Sequence, residues 1–269
     1  MSHLGIFSYI ALSNQNKSIN MKRILLIFTA AIGLCFANSA KAQTTETFLV
    51  PDPQTAEWSY IETNSSGQHV ATYYHSVESM SGDGINGLLK IKIKEVSPST
   101  PSDTLTSSGY FRFRDGEYMA DISASFEEDA LADAINQLAA NGEYTEADVK
   151  KATKAVKDEM KISGEIRGVP QYPTVGKLPD YDFQFKIFIV NMKVLGRDRK
   201  IVGTEKVETE AGTYDCFVME ETITTKALLM KDVIKVKSWC AYGVGLVKEV
   251  NYDKNGKVTS TVILNSTNW

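Results

Sequence analysis

Glu210-Ala-Gly-Thr-Tyr-Asp-Cys216 and Trp239-Cys-Ala-Tyr-Gly-Val-Gly-Leu-Val247 decide the reading of this chain. They punctuate Lys200 to Leu264, where Val, Ile, Thr, Tyr and Phe recur in short runs that stop at Gly, Asn or Asp. β-Branched and aromatic residues suit a pleated, half-buried surface, and the residues ending each run tolerate the positive φ of a tight reversal. The stretch predicts an antiparallel meander. Cys216 and Cys240 lie on either side of a hairpin centred near Leu228 and Leu229. Facing one another they could form a disulfide; one residue out of register they stay two small buried side chains.

Working outward, the same pattern predicts strands at Trp58–Ile61 and near His69–Val77, Leu88–Val96 and Leu105–Arg114, with Asp115-Gly116 turning the chain into Glu117–Ile122. Phe183, Phe185, Ile187 and Ile189 alternate onto one face of a strand spanning Phe183–Val190. Five more strands follow, from Ile201 to Leu264, with a last turn at Asp253-Lys-Asn-Gly256. The pattern changes between the halves. Ser125 with Glu128, and Thr145 with Asp148, are helix-start signatures, and apolar residues recur after each at spacings of three and four. A helical hairpin over residues 125–160 is therefore expected, followed by an irregular crossing, Gly168–Asp180, with three prolines. The fold expected is mainly β: one strongly curved antiparallel sheet of about eleven strands, half-barrel-like, carrying that helical insertion.

The chain ahead of this domain reads as a leader. Met21-Lys-Arg23, an apolar run Ile24–Ala37 and Ala40-Lys-Ala42 form the charged, apolar and small-x-small parts of a secretory signal peptide. Cleavage is expected after Ala42, with residues 1–20 an upstream misread start and 43–269 a single exported domain, periplasmic or secreted. The apolar run is shorter than the ~20 residues a membrane-spanning helix needs. Cys35 suits a lipid anchor poorly, since Leu34 stands where a small residue is expected. Without residues 1–42 the chain holds 25 basic and 33 acidic side chains. That balance argues against a nucleic-acid partner, which needs a basic surface.

The expected chemistry is thin. Gly82-Asp-Gly-Ile-Asn-Gly87 has the spacing of a dinucleotide loop, but it lies between two strands with no helix after it, so it reads as a turn. His69 and His75, six residues apart, would sit ~20 Å from each other on a strand, too far to share a metal. Asp180 and Asp182 flank Tyr181 and could serve sugar cleavage, although a solvated strand end explains them as well. Lys90-Ile-Lys-Ile-Lys94, Phe111-Arg-Phe-Arg114 and Lys235-Val-Lys237 put basic residues on one face and apolar ones on the other. This suits a solvated outer face or a cationic surface for anionic headgroups or polysaccharide. No catalytic residue, metal or cofactor is expected.

Three segments resemble a known family. Val207-Glu-Thr-Glu-Ala-Gly-Thr-Tyr-Asp-Cys216, Trp239-Cys-Ala-Tyr-Gly-Val-Gly-Leu-Val-Lys248 and the proline-rich Tyr172-Pro-Thr-Val-Gly-Lys-Leu-Pro179 are similar to segments of TapB-like exported domains of unknown function. Glu210 and Cys240 depart from that pattern, where proline and tyrosine are usual. The resemblance implies an envelope protein with a curved sheet like that of periplasmic lipoprotein carriers, and brings no catalytic residues. The function expected is a non-catalytic envelope protein binding an apolar or lipid-like ligand, with Phe111, Phe113, Phe183, Phe185, Ile187, Trp239 and Tyr242 lining the concavity or forming ordinary core. The alternative is a structural protein that docks a protein or polysaccharide partner of the envelope.

Overall fold

In Leu89-Lys-Ile-Lys-Ile-Lys94, Leu89, Ile91 and Ile93 are buried while Lys92 and Lys94 are exposed, as a strand with one covered face requires. The computed structural model describes residues 55–82, 87–114, 116–121, 124, 146–187, 190–227 and 230–269. In its N-terminal half, β1 (Glu57–Asn64), β2 (His69–Gly82), β3 (Gly87–Ser97), β4 (Thr100–Arg114) and β5 (Glu117–Ala120) form an antiparallel meander. Then come α1 (Glu146–Glu159) and three short strands, β6 (Lys161–Gly164), β7 (Val169–Pro170) and β8 (Gly176–Lys177). A second meander follows: β9 (Tyr181–Ile187), β10 (Val190–Thr209), β11 (Gly212–Ala227), β12 (Met230–Ala241), β13 (Gly245–Tyr252) and β14 (Val258–Thr267). Pairing of β1 with β14, Tyr60 opposite Leu264, joins the two meanders into one sheet.

The eleven expected strands are joined by three short ones, and one expectation is corrected. The strand expected over Phe183–Val190 is not continuous, because Ile187 ends β9 and pairs with Val190, which begins β10. The continuous apolar run there carries no turn residue, so alternation alone extended the strand through the reversal. Of the expected helical hairpin, α1 occupies the second half, and residues 125–145 lie outside the described residues.

The sheet is rolled but not closed. Along the hydrogen-bonded order β6-β9-β10-β11-β12-β13-β14-β1-β2-β3-β4-β5-β7, the end strands are twelve steps apart. In a flat sheet that would be ~58 Å at the usual strand spacing. Yet β6 ends at Gly164 and β7 begins at Val169, and so short a link spans at most ~18 Å. The two ends must therefore curl towards each other, while no backbone ladder joins β6 to β7 among the described residues.

Charge and close packing hold this seam. Arg114 pairs with Glu165, and Arg167 Nη2 lies 2.9 Å from Glu117 Oε1, fastening the link to the β4–β5 side. Gly164 has φ 74°, and a β-carbon there would lie 1.9 Å from the Asp182 carbonyl oxygen on β9. At Gly168 the corresponding distance to the Tyr118 carbonyl oxygen on β5 is 1.4 Å. Only glycine lets the link touch both walls. The concave face carries Tyr60, Tyr73, Leu89, Ile91, Phe111, Phe183, Val194 and Leu264, all within one buried cluster.

Candidate functional site

Four of the expected lining residues face this interior. Phe111, Phe113, Phe183 and Phe185 are between 2% and 8% exposed and belong to the core cluster, Phe113 making an edge contact with Tyr118 at 3.8 Å. The Ile187 side chain lies outside the described residues. Trp239 is on the other face. It pairs with Val218 and Lys248, its Nε1 donates to Glu205 Oε2 at 2.6 Å, and the Lys237 and Lys248 ammonium groups lie 4.7 and 5.0 Å from its ring centre. The indole belongs to the buried hydrophobic cluster, and the two lysine stems cover its ring from the solvent side. That hydrogen bond, then Lys237, holds the Glu205 carboxyl below its usual range. Tyr242 is 37% exposed, edge-on to Phe217 at 5.1 Å.

The cysteines are separated by register. Ala227 pairs with Met230, and in that register Cys240 stands opposite Phe217. Cys216 is one residue along and belongs to the other face, and both thiols are free and buried. Of the two alternatives the sequence left open, the structure has the unpaired one, two buried thiols. Burial pushes the Cys216 thiol up to about 12 and raises that of Cys240 as well.

The concave face also holds charge that composition does not reveal. Glu62 accepts from Tyr73 Oη at 2.6 Å, Glu249 accepts from Asn251 Nδ2 at 3.0 Å, and Glu221 accepts from Arg199 Nε at 3.0 Å. Burial, with the nearby Glu221 and Glu62 carboxylates, raises the Glu249 carboxyl to about 7. His75 is 2% exposed between the rings of Trp58 and Tyr60, each 5.2 Å away, and neither ring nitrogen has a partner among the described residues. Burial lowers its pKa to about 3, so the imidazole is neutral at any ordinary pH. His69 instead meets Thr72 on the surface, so the two histidines share no site. No group of acidic, histidine and cysteine side chains able to hold a metal occurs among the described residues.

Asp180 and Asp182 belong to an exposed ion-pair cluster with Arg197 and Lys193. Hydrogen bonds from Arg197 and then Lys193 hold the Asp182 carboxyl low, opposite to the raised acid that glycoside cleavage needs. Gly82, at the end of β2, pairs with Gly87, at the start of β3, and residues 83–86 lie outside the described residues.

Among the described residues, a cleft of ≈ 360 Å³ opens to solvent over β1, β2, β3 and the end of β14. Alternation brings Ser59, Tyr74 and Lys94 together in one cross-strand row and Glu57, Ser76 and Lys92 in the next. Ser266, Thr267 and Asn268 form the β14 wall. Tyr74 is 50% exposed, while its neighbour Tyr73 points inward to Glu62. Sequence reading reached Lys92 and Lys94 through their alternation but not Tyr74. Only the Tyr73-Tyr74 pair, one ring for each face, hinted at it.

Residues 141–264, from just before α1 into β14, match the family model described as DUF3108-like. No curated protein matches the chain. Two crystal structures share the fold. One, of a lipoprotein candidate from Parabacteroides distasonis, has a TM-score of 0.57 at 16% identity, covering 84% of this chain and 100% of that one. The other, of an exported-protein candidate with a YmcC-like fold from Bacteroides fragilis, has a TM-score of 0.55 at 13% identity, covering 82% and 99%. All three motif segments lie within the residues that the DUF3108-like model matches.

Proposed function

We propose that this chain is a non-catalytic exported protein of the cell envelope that docks a protein or polysaccharide partner on the outer face of its rolled sheet. The observation that carries this reading is the division of the sheet into two kinds of face. The inward phenylalanines are packed among other buried rings, and the cleft at Tyr74 opens outward. A face covered by its own core has little surface left for a ligand, whereas an exposed ring beside hydroxyl, amide and ammonium groups can recognise one. Export is supported by the leader-like segment Met21–Ala42 and by the two fold relatives, described as a lipoprotein candidate and an exported-protein candidate.

The test is a photo-reactive residue in place of Tyr74, expressed in the native host and irradiated in intact cells. A discrete adduct in the envelope fraction, lost when the same probe replaces Asn255 on the β13–β14 turn, is expected. Free monomer from both positions would remove the docking reading. N-terminal sequencing of the envelope form should begin at Gln43; a start at Met1 or Met21 would remove the cleaved leader.

A further inference from the structure

Resting on that docking reading, we infer that the cleft over β1, β2, β3 and β14 takes an acidic polysaccharide strand, a sugar chain bearing carboxylates. Of the three lysines that alternate along β3, Lys90 is engaged, 3.0 Å from Glu78 and 5.7 Å from the centre of the Tyr110 ring. Lys92 and Lys94 are exposed, line the cleft, and have no ion pair among the described residues. Two strand positions apart, they present positive charges ~7 Å from each other along one edge of the cleft. The chain as a whole is acidic, so a local pair of unengaged ammonium groups is complementary to an anion against the general trend. Glu57, the carboxylate in the lining, lies two strands from Lys92, ~10 Å across the sheet, and leaves the lysine edge positive.

The rest of the lining fits a polyol better than a lipid or an extended peptide. Ser59, Ser76, Ser266 and Thr267 supply hydroxyls, Asn268 an amide, and Tyr74 the exposed ring on which a pyranose face can stack, with the buried rings of Trp58 and His75 completing the lining. Ser59 and Ser266 already share a hydrogen bond of 2.7 Å, with Asn265 Nδ2 donating to Ser59 Oγ at 3.0 Å. This fixes the floor before anything binds, so little ordering remains to be done by the ligand. The wall opposite the lysines is similarly fastened, since the Asn268 side chain bridges the Glu57 amide and the Thr55 carbonyl. A floor of fixed hydroxyls with charge at one rim suits a long, regular, anionic chain that slides along it.

The experiment is calorimetric titration of the full exported protein with oligogalacturonate, with neutral dextran oligomers, and with vesicles of phosphatidylglycerol and phosphatidylcholine. Oligogalacturonate should bind and weaken with added salt, and dextran should not bind. K92Q with K94Q should lower the oligogalacturonate affinity at least tenfold, and Y74A severalfold, while K235Q on β12 leaves it unchanged. All of these side chains are at the surface, so the variants should fold, with circular dichroism as the control. Binding of vesicles in place of oligogalacturonate through the same lysines would overturn the polysaccharide assignment and leave the docking reading intact. So would failure to bind oligogalacturonate while the Tyr74 photo-adduct still forms. Loss of both binding and adduct would remove the docking reading itself, and oligogalacturonate binding indifferent to K92Q and K94Q would overturn the site.

Discussion

Arg199 Nε donates to Glu221 Oε2 across 3.0 Å, and the two side chains are only 1% and 6% exposed. The same guanidinium donates to the carbonyls of Pro179, Arg167 and Gly168, at 2.7, 3.0 and 2.6 Å, and lies 5.0 Å from the Tyr181 ring centre. One side chain on β10 thereby gathers β11, the segment before β9 and the link between the two ends of the sheet.

Replacing Arg199 with Met should destabilise the protein by about 3–5 kcal/mol, since Glu221 is left as a buried carboxyl without a cation and three carbonyls lose their donor. The double variant R199M/E221L should recover part of that loss. Urea unfolding of the three proteins checks both; an R199M variant as stable as the parent would show that the seam does not depend on the pair.

Gly168→Ala puts a methyl group 1.4 Å from the Tyr118 carbonyl oxygen, which no side-chain rotation relieves. A loss of several kcal/mol is expected, of the size that marks backbone conflict. Gly67→Ala, in an open turn where nothing approaches within 4 Å, should cost little beyond the strain of its positive φ. Comparing their thermal midpoints is sufficient, and equal midpoints would contradict the close approach at the seam.

Glu249 should make the protein lose stability as pH rises. Its folded pKa, about 7, stands above the 4.5 of the unfolded chain, so the native state holds the extra proton between those values. The contribution is complete below pH 4.5 and is lost as pH rises through 7, on the order of 3 kcal/mol. Glu249→Gln should therefore stabilise more at pH 8 than at pH 5 in paired urea titrations. An equal effect at both would mean the carboxyl is not shifted.

His75 acts in the opposite direction. Its folded pKa, about 3, lies below the unfolded 6.5, so the unfolded chain takes up a proton that the native state refuses. Stability should fall below pH 6.5 at up to about 1.4 kcal/mol per pH unit, levelling near pH 3. His75→Phe should flatten that arm of the profile, and a profile unchanged between pH 6 and 4 would count against the buried neutral ring.

Cys216 and Cys240 should both be alkylated by iodoacetamide after unfolding in urea without reductant, and neither should react in the native protein. Peptide mapping by mass spectrometry identifies them individually. A Cys216–Cys240 cross-linked peptide would contradict the register that sets Cys240 opposite Phe217.

Alternation, β-branched runs and turn residues determined by themselves that this chain is an antiparallel meander, where its hairpins with turn residues reverse, and which residues of β3 look outward. These are local properties, because a strand repeats every two residues and a reversal needs particular backbone angles. The tertiary structure decided what a period of two cannot. It separates two faces without saying what covers each, so it did not show that Trp239, buried with the phenylalanines in one cluster, also carries Lys237 and Lys248 over its ring and Glu205 on its nitrogen. Register is settled by the whole ladder, which is why Cys216 and Cys240 missed each other by one residue. Nothing in the sequence marks Glu62, Glu221, Glu249 and Arg199 as buried, since charge is normally exposed. They are buried because the sheet rolls, and it rolls because a few residues between Gly164 and Val169 must join strands that a flat sheet would hold ~58 Å apart.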